Sequence, residues 1–163
     1  MSVELREATA DDADGIVDVA RESWYAAYGG FLDPAGIESE FETAYDPELV
    51  RAALESEEIV LHVAVDDGIV GFASAERTWA DEVELHTIHV HPDRWGEGIG
   101  SALFDRVEAW ARRRDVDHVA CGVFVENVVA VGFFEALGFL PGDETTVEFG
   151  GSPRIEREYA LPL

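Results

Sequence analysis

With 163 residues, 47% of them hydrophobic, the chain has the length of a single domain, 1–163, and enough apolar material for a packed core, which excludes intrinsic disorder. Eleven Lys plus Arg against 35 Asp plus Glu leave a formal charge of −24, with no lysine at all, which excludes nucleic acid and anionic membranes as partners. The lone Cys121 excludes an internal disulfide or a cysteine-rich metal centre.

No apolar run reaches the ~20 residues of a membrane helix. The stretch Met1-Ser2-Val3-Glu4-Leu5-Arg6 has no basic segment followed by an apolar one, so no secretory signal is expected and a reducing cytoplasm is the predicted setting. So acidic a surface repels itself in dilute buffer. In molar salt the Debye length falls to roughly 3 Å and most of that repulsion vanishes. The charge and the missing lysine together predict a salt-adapted, halophilic source.

In chain order, Val3–Ala8 reads as a strand, and Thr9-Ala10-Asp11-Asp12 as a capping box opening a helix that runs to Tyr28, with Ile16, Val17, Ala20 and Trp24 on one face. Asp46-Pro47 opens a second helix, to about Ser56. Ile59–Val65 and Ile69–Thr78 form a hairpin about Asp66-Asp67-Gly68, and Val83–Val90 is a further strand. Gly98–Arg114 is a helix carrying Ile99, Leu103, Val107 and Trp110 on one stripe. His118–Val125 is a strand, Val128–Leu137 a helix ended by Gly138, and Thr145–Phe149 with Ile155–Leu161 a closing hairpin around Gly150-Gly151. Interleaved strands and helices with an early and a late hairpin predict an α/β (α+β) fold: a mixed sheet with helices on both faces.

The sharpest local signal is Arg94-Trp95-Gly96-Glu97-Gly98-Ile99-Gly100-Ser101, between a strand and an amphipathic helix. Alternate glycines allow a tight turn whose N–H groups converge on an anion, and the helix N-terminus adds unpaired donors and the positive end of its dipole. This is the chemistry of a diphosphate cradle. A dinucleotide fingerprint fits poorly, because Ser101 stands where its last glycine belongs and three strands precede the loop. A P-loop is excluded for want of a lysine.

The stretch from Leu85 to Ser101, LHTIHVHPDRWGEGIGS, resembles the fourth strand and Q/R-x-x-G-x-G/A loop of the GNAT superfamily of acyl-CoA-dependent N-acyltransferases. Asn127, Ala130 and Phe133-Phe134-Glu135-Ala136-Leu137-Gly138-Phe139 resemble the same family's N-x-x-A-x-x-F-Y-E-x-L-G-F stretch. The resemblance implies a mostly antiparallel sheet of about seven strands, splayed between strands 4 and 5, with the arm of acetyl-CoA entering the gap like an added strand. It also implies that Ile88, His89 and Val90 offer backbone partners to the arm, that Arg94, Trp95, Gly96, Glu97, Gly98, Ile99, Gly100 and Ser101 hold the diphosphate, and that Asn127 and Phe134 face the arm. Two positions depart from the pattern. Trp95 fills the Gln/Arg position, and Phe134 replaces the tyrosine usually assigned as the acid for the departing thiolate.

An alkylamine near pKa 10 is charged at pH 7, so its attack on a thioester needs a base. Glu84, where the resembling family often has a catalytic glutamate, is the first candidate and His86 the second; two apart on a strand, they share one face. Alternation puts His89 and His91 on the other, which argues against a metal site there, and no metal is expected. Cys121 reads as a core thiol. Arg112, Arg113 and Arg114 suit a helix C-terminus, with a coenzyme phosphate as the competing role. Tyr25 or Tyr28 would line the acceptor pocket, and Tyr159 is a late-chain alternative acid. The expected activity is transfer of an acetyl group to a primary amine of a small molecule or peptide; the substitution at Phe134 leaves a non-catalytic acyl-CoA-binding or regulatory module as the alternative. A homodimer remains open.

Overall fold

The computed structural model describes residues 3–163; Met1 and Ser2, the start of the stretch read as lacking a secretory signal, lie outside the described residues. The elements are β1 (Glu4–Glu7), α1 (Ala13–Tyr28), α2 (Pro34–Ala44), α3 (Pro47–Leu54), β2 (Ile59–Val65), β3 (Ile69–Trp79), β4 (Glu82–Val90), α4 (Ile99–Arg113), β5 (His118–Phe124), α5 (Val128–Ala136), β6 (Leu140–Phe149) and β7 (Ser152–Pro162). One seven-stranded sheet runs β1-β2-β3-β4-β5-β7-β6. All its pairs are antiparallel except β4 with β5, as the mixed-sheet expectation requires.

Each sheet face carries its own core. Ile99, Leu103, Phe104, Val107 and Trp110 of α4 pack with Phe134 and Phe139 on the side that Val83, Leu85 and Val119 face. Each such side chain, fully buried, stabilises by roughly 1.5–3 kcal/mol, so the loop ahead of α4 is anchored on a well-buried helix. On the opposite face Ile16, Val19, Ala20 and Trp24 of α1 pack with Ile37, Phe41, Val63 and Phe72. The Thr9–Asp12 capping box is present, and Asp12 also accepts both guanidinium nitrogens of Arg6, at 2.7 and 3.0 Å.

The alternation read from the sequence has no element between Gly30 and Asp46, yet α2 lies there. It begins as α3 does, with a capping aspartate before proline: Asp33 accepts from the Gly36 N–H at 2.7 Å. Only Ile37 and Phe41, four apart, are buried, too thin a stripe to show as helical periodicity. Its anchor is tertiary. A β-carbon on Gly36 would lie 2.9 Å from the Gly150 carbonyl oxygen, and Glu40 accepts the Gly150 N–H at 3.0 Å, so α2 sits against the β6–β7 turn.

Candidate active site

β4 and β5 pair only at Glu82–His118, Val83–Val119 and Glu84–Ala120, then part. The gap opens into a cleft of about 650 Å³ whose walls include Leu85–Val90 from β4, Cys121–Phe124 from β5, the glycine loop and α5. Opposed residues of an antiparallel pair alternate between bonded and non-bonded. The His91 N–H bonds the Val70 carbonyl. Counting back along the β3–β4 register, His89 and Thr87 are bonded to β3, whereas Ile88 and Val90 turn their backbone groups away from β3 toward the gap, where the Val90 carbonyl accepts from the Trp95 indole. Of the three backbone partners expected from sequence, Ile88 and Val90 therefore face the cleft and His89 does not.

Gly96 and Gly98 hold φ of 82° and 85°, the left-handed region where a side chain is strained, and a β-carbon on either meets nothing within 4 Å: the space above the loop is open. Gly98 caps α4, and the first intrahelical bond comes from the Ala102 N–H, leaving those of Ile99, Gly100 and Ser101 without helical partners at the cleft. Arg94 is tied down structurally. Its Nε donates to both Glu97 oxygens at 3.0 Å and its Nη2 lies 3.1 Å from Asp66, so Glu97, alone in the loop, turns away from the cleft. Trp95 donates its indole N–H to the Val90 carbonyl at 2.8 Å, latching the loop to the strand. Asn127 caps α5 by accepting from the Ala130 N–H at 3.2 Å and lines the wall with Phe134. The open N–H donors at the start of α4, the glycine turn and a gap bordered by backbone groups of Ile88 and the Val90 N–H fit the diphosphate and extended arm of acetyl-CoA.

The reacting end follows a different rule. Ser74 pairs with Thr87 but Ala75 with Leu85, so His86 is the extra residue of a β-bulge. The bulge flips parity. Val83 and Leu85 before it and Ile88 and Val90 after it face the α4 core, and Glu84, His86, Thr87 and His89 all project toward α1. Simple alternation, which set His89 apart from Glu84 and His86, fails for this reason. His86 lies between two carboxylates, Nε2 at 2.8 Å from Glu76 and Nδ1 at 3.9 Å from Glu84. Glu84 itself does not line the cleft. A second hollow of about 310 Å³ beside it is bordered by Trp24, Tyr28, Tyr45, His86 and Thr87, with the Tyr45 hydroxyl 3.2 Å from that of Thr87.

His89 is not a ligand waiting for a metal. The Trp24 indole, which can only donate, reaches its Nε2 at 3.2 Å; Nδ1 then carries the proton and faces the Ser23 hydroxyl at 2.9 Å. Burial pushes its pKa down to about 4, so the ring is neutral. His91 caps the turn at Pro92, accepting from the Asp93 N–H.

The remaining candidates sort by position. Burial pushes the Cys121 thiol up to about 12, which makes it inert. Tyr28 lines the cleft, whereas Tyr25 donates to Glu38 at 2.7 Å and does not. Tyr159 is buried in the α4-side core, outside the cleft lining. The arginines at the far end of α4 stand about 20 Å from the loop at 1.5 Å per residue; Arg112 pairs with Glu108 and Arg114 donates to the Glu57 carbonyl, so neither serves a phosphate at the loop. Among the cleft residues that sequence reasoning missed are the polar Ser23 and Glu156. Neither sits in a motif; both arrive through the placement of α1 and β7.

Among the described residues, no helix is long and apolar enough to cross a membrane. A spermidine N(1)-acetyltransferase of Thermoplasma acidophilum is 26% identical over 154 residues, covering 91% of this chain and 95% of that protein. The crystal structure of the PaiA N-acetyltransferase from the same organism, in complex with coenzyme A, superposes with a TM-score of 0.84 at 25% identity, over 96% of this chain and 98% of that one. The ribosomal-protein-S18-alanine N-acetyltransferase of Escherichia coli shares the fold, with a TM-score of 0.75 at 18% identity over 99% of this chain and 94% of that one. The acetyltransferase (GNAT) family model matches residues 16–139, and with the splayed β4–β5 pair and the glycine-led α4 this shows that the chain belongs to that family and is an acetyl-CoA-dependent N-acetyltransferase.

Proposed function

We propose that the acceptor is a small aliphatic polyamine. The observation that carries this is the apex of the cleft, where His86, set between the carboxylates of Glu76 and Glu84, borders an aromatic hollow with Trp24, Tyr28 and Tyr45. Carboxylates and aromatic faces both attract ammonium groups, and a flexible polyamine carries several. Spermidine, the substrate for which the Thermoplasma relative is named, points the same way. Acetyl-CoA supplies the activated acyl group. Ile88 and Val90 would align its arm, and the loop Gly96–Ser101 its diphosphate, with Arg94, Trp95 and Glu97 shaping that loop rather than touching charge. Asn127 and Phe134 form the opposite wall, and His86, backed by Glu84 and Glu76, would hold the ammonium at the apex. A thiol-release assay over an amine panel tests the acceptor: spermidine and related diamines should exceed amino acids and peptide N-termini by at least tenfold in kcat/KM, and preference for a peptide would overturn it.

We also propose a salt-adapted cytoplasm as the working environment. The formal charge of −24 destabilises the compact state by self-repulsion that molar salt screens. The melting temperature should rise steadily from 0.1 to roughly 2 M potassium chloride; a flat or falling curve would count against it.

A further inference from the structure

We propose that Glu156, on β7, is the group that takes the proton from the acceptor ammonium, from a position beside the Glu84 carboxylate. This rests on the cleft apex being the acceptor site.

The placement comes from the sheet. Glu156 pairs with Phe124 of β5, but its side chain leans back over Gly122: a β-carbon there would lie 2.5 Å from Glu156 Oε1. The carboxylate thus occupies the space that any other residue at 122 would fill. Gly122 stands two residues past Ala120, the last position paired to β4, level with the bulged His86 across the gap. Strand alternation puts Gly122, Phe124 and Glu156 on the face toward α1, the face of Glu84 and His86. Glu156 lines the cleft, which Glu84 does not.

Its surroundings suit a proton acceptor. Among the described residues neither carboxylate oxygen has a hydrogen-bond donor. The groups around it are the Glu84 carboxylate from β4, the Cys121 thiol from β5, the Tyr28 hydroxyl from α1, and Glu158 and Arg154 on its own strand; Arg154 is held by Glu126 at 2.9 Å. Burial first, and then the Glu84 charge, raise its pKa above the usual carboxylate range. A base closer to neutrality is better matched to an alkylammonium. In the step, an N–H bond of the ammonium breaks and an O–H bond forms on Glu156, leaving a neutral amine with a lone pair. The carboxylic acid so formed can then return its proton to the departing thiolate, a task for which Phe134 has no hydroxyl. The second nitrogen proton, lost as the amide forms, leaves to solvent, so one proton is released per turnover.

The test uses the full chain in molar potassium chloride. Glu156→Gln should lower kcat for a diamine by about 100-fold, the scale of general-base loss, and abolish the acidic limb of the kcat/KM profile, while the Kd for coenzyme A, measured by calorimetry, stays within twofold. Glu156→Asp should keep the limb at a reduced rate, which excludes mere misfolding. Carboxyl carbon-13 NMR of the unliganded protein should show Glu156 titrating above its neighbours, and lower in Glu84→Gln. An unchanged acidic limb in Glu156→Gln, or an ordinary carboxylate midpoint by NMR, overturns the assignment. The NMR midpoint decides Glu156 whichever amine proves to be the acceptor, so the two readings can fail separately.

Discussion

The two ends of the cleft are built in opposite ways. At the end proposed for the diphosphate the groups on offer are backbone N–H groups of one contiguous segment, Gly96 to Ser101, and the side chains there, Arg94 and Trp95, brace the loop against Asp66, Glu97 and the Val90 carbonyl. At the apex the groups are side chains from β3, β4, β7 and α1, brought together by one bulge and one glycine. A backbone site depends on conformation and should break through strain or blockage. A side-chain site depends on register and should break through displacement, with the fold intact.

The largest expected effect is at the phosphate end. Gly98→Glu puts a charged, β-carbon-bearing residue at φ 85° in the open cradle. Coenzyme A affinity should fall more than 100-fold, about 3 kcal/mol, by calorimetry; an unchanged Kd would remove the diphosphate from this loop.

The next effect belongs to the α1 face and is read as stability. His89 has a folded pKa of about 4 against an ordinary 6.5. The unfolded chain therefore takes up a proton below pH 6.5 that the folded ring refuses. Its share of stability is intact above pH 6.5 and declines as pH falls toward 4, by about 3 kcal/mol in all. Urea unfolding of the wild type and His89→Gln should differ most above pH 6.5 and converge toward pH 4. A constant difference would contradict the neutral ring held by Trp24 and Ser23.

Gly122→Ala sharpens the contrast further. The nearest atoms its β-carbon would meet all belong to the flexible Glu156 side chain, so the carboxylate should swing aside at little cost to the fold. A rate loss of about tenfold, or 1.4 kcal/mol in the barrier, with unchanged coenzyme A affinity is expected from steady-state kinetics. Equal losses in both would mean that the two ends are not separable. The smallest effect is Trp95→Phe, which removes only the bond to the Val90 carbonyl. About 1 kcal/mol in coenzyme A affinity, roughly fivefold, matches one hydrogen bond.

How much was legible follows the same division. The β2–β3 hairpin, β4, α4 with its stripe Ile99, Leu103, Val107 and Trp110, and the loop before it are local patterns, and they appear where periodicity and glycine placement predict. The helix α2 was hidden because Ile37 and Phe41 form its whole buried face and its support comes from Gly150, far along the chain. The shared face of Glu84 and His86 was readable by counting in twos; that of His89 was not, because one bulged residue inverts every later position. Trp95 looked like a lost contact, and its actual partner, a carbonyl five residues back, needed the folded loop.

The sequence by itself determined the family, the acyl donor and the glycine-led start of α4 on which the phosphate end is proposed, because a helix N-terminus after a glycine turn is a local property of consecutive residues. The tertiary structure alone decided which ionisable groups meet at the apex. Glu156 is 72 residues from Glu84 in the chain and reaches it only because β7 inserts beside β5 and Gly122 leaves room. Strand order and register are set by the packing of the whole sheet, and no spacing along the chain records them.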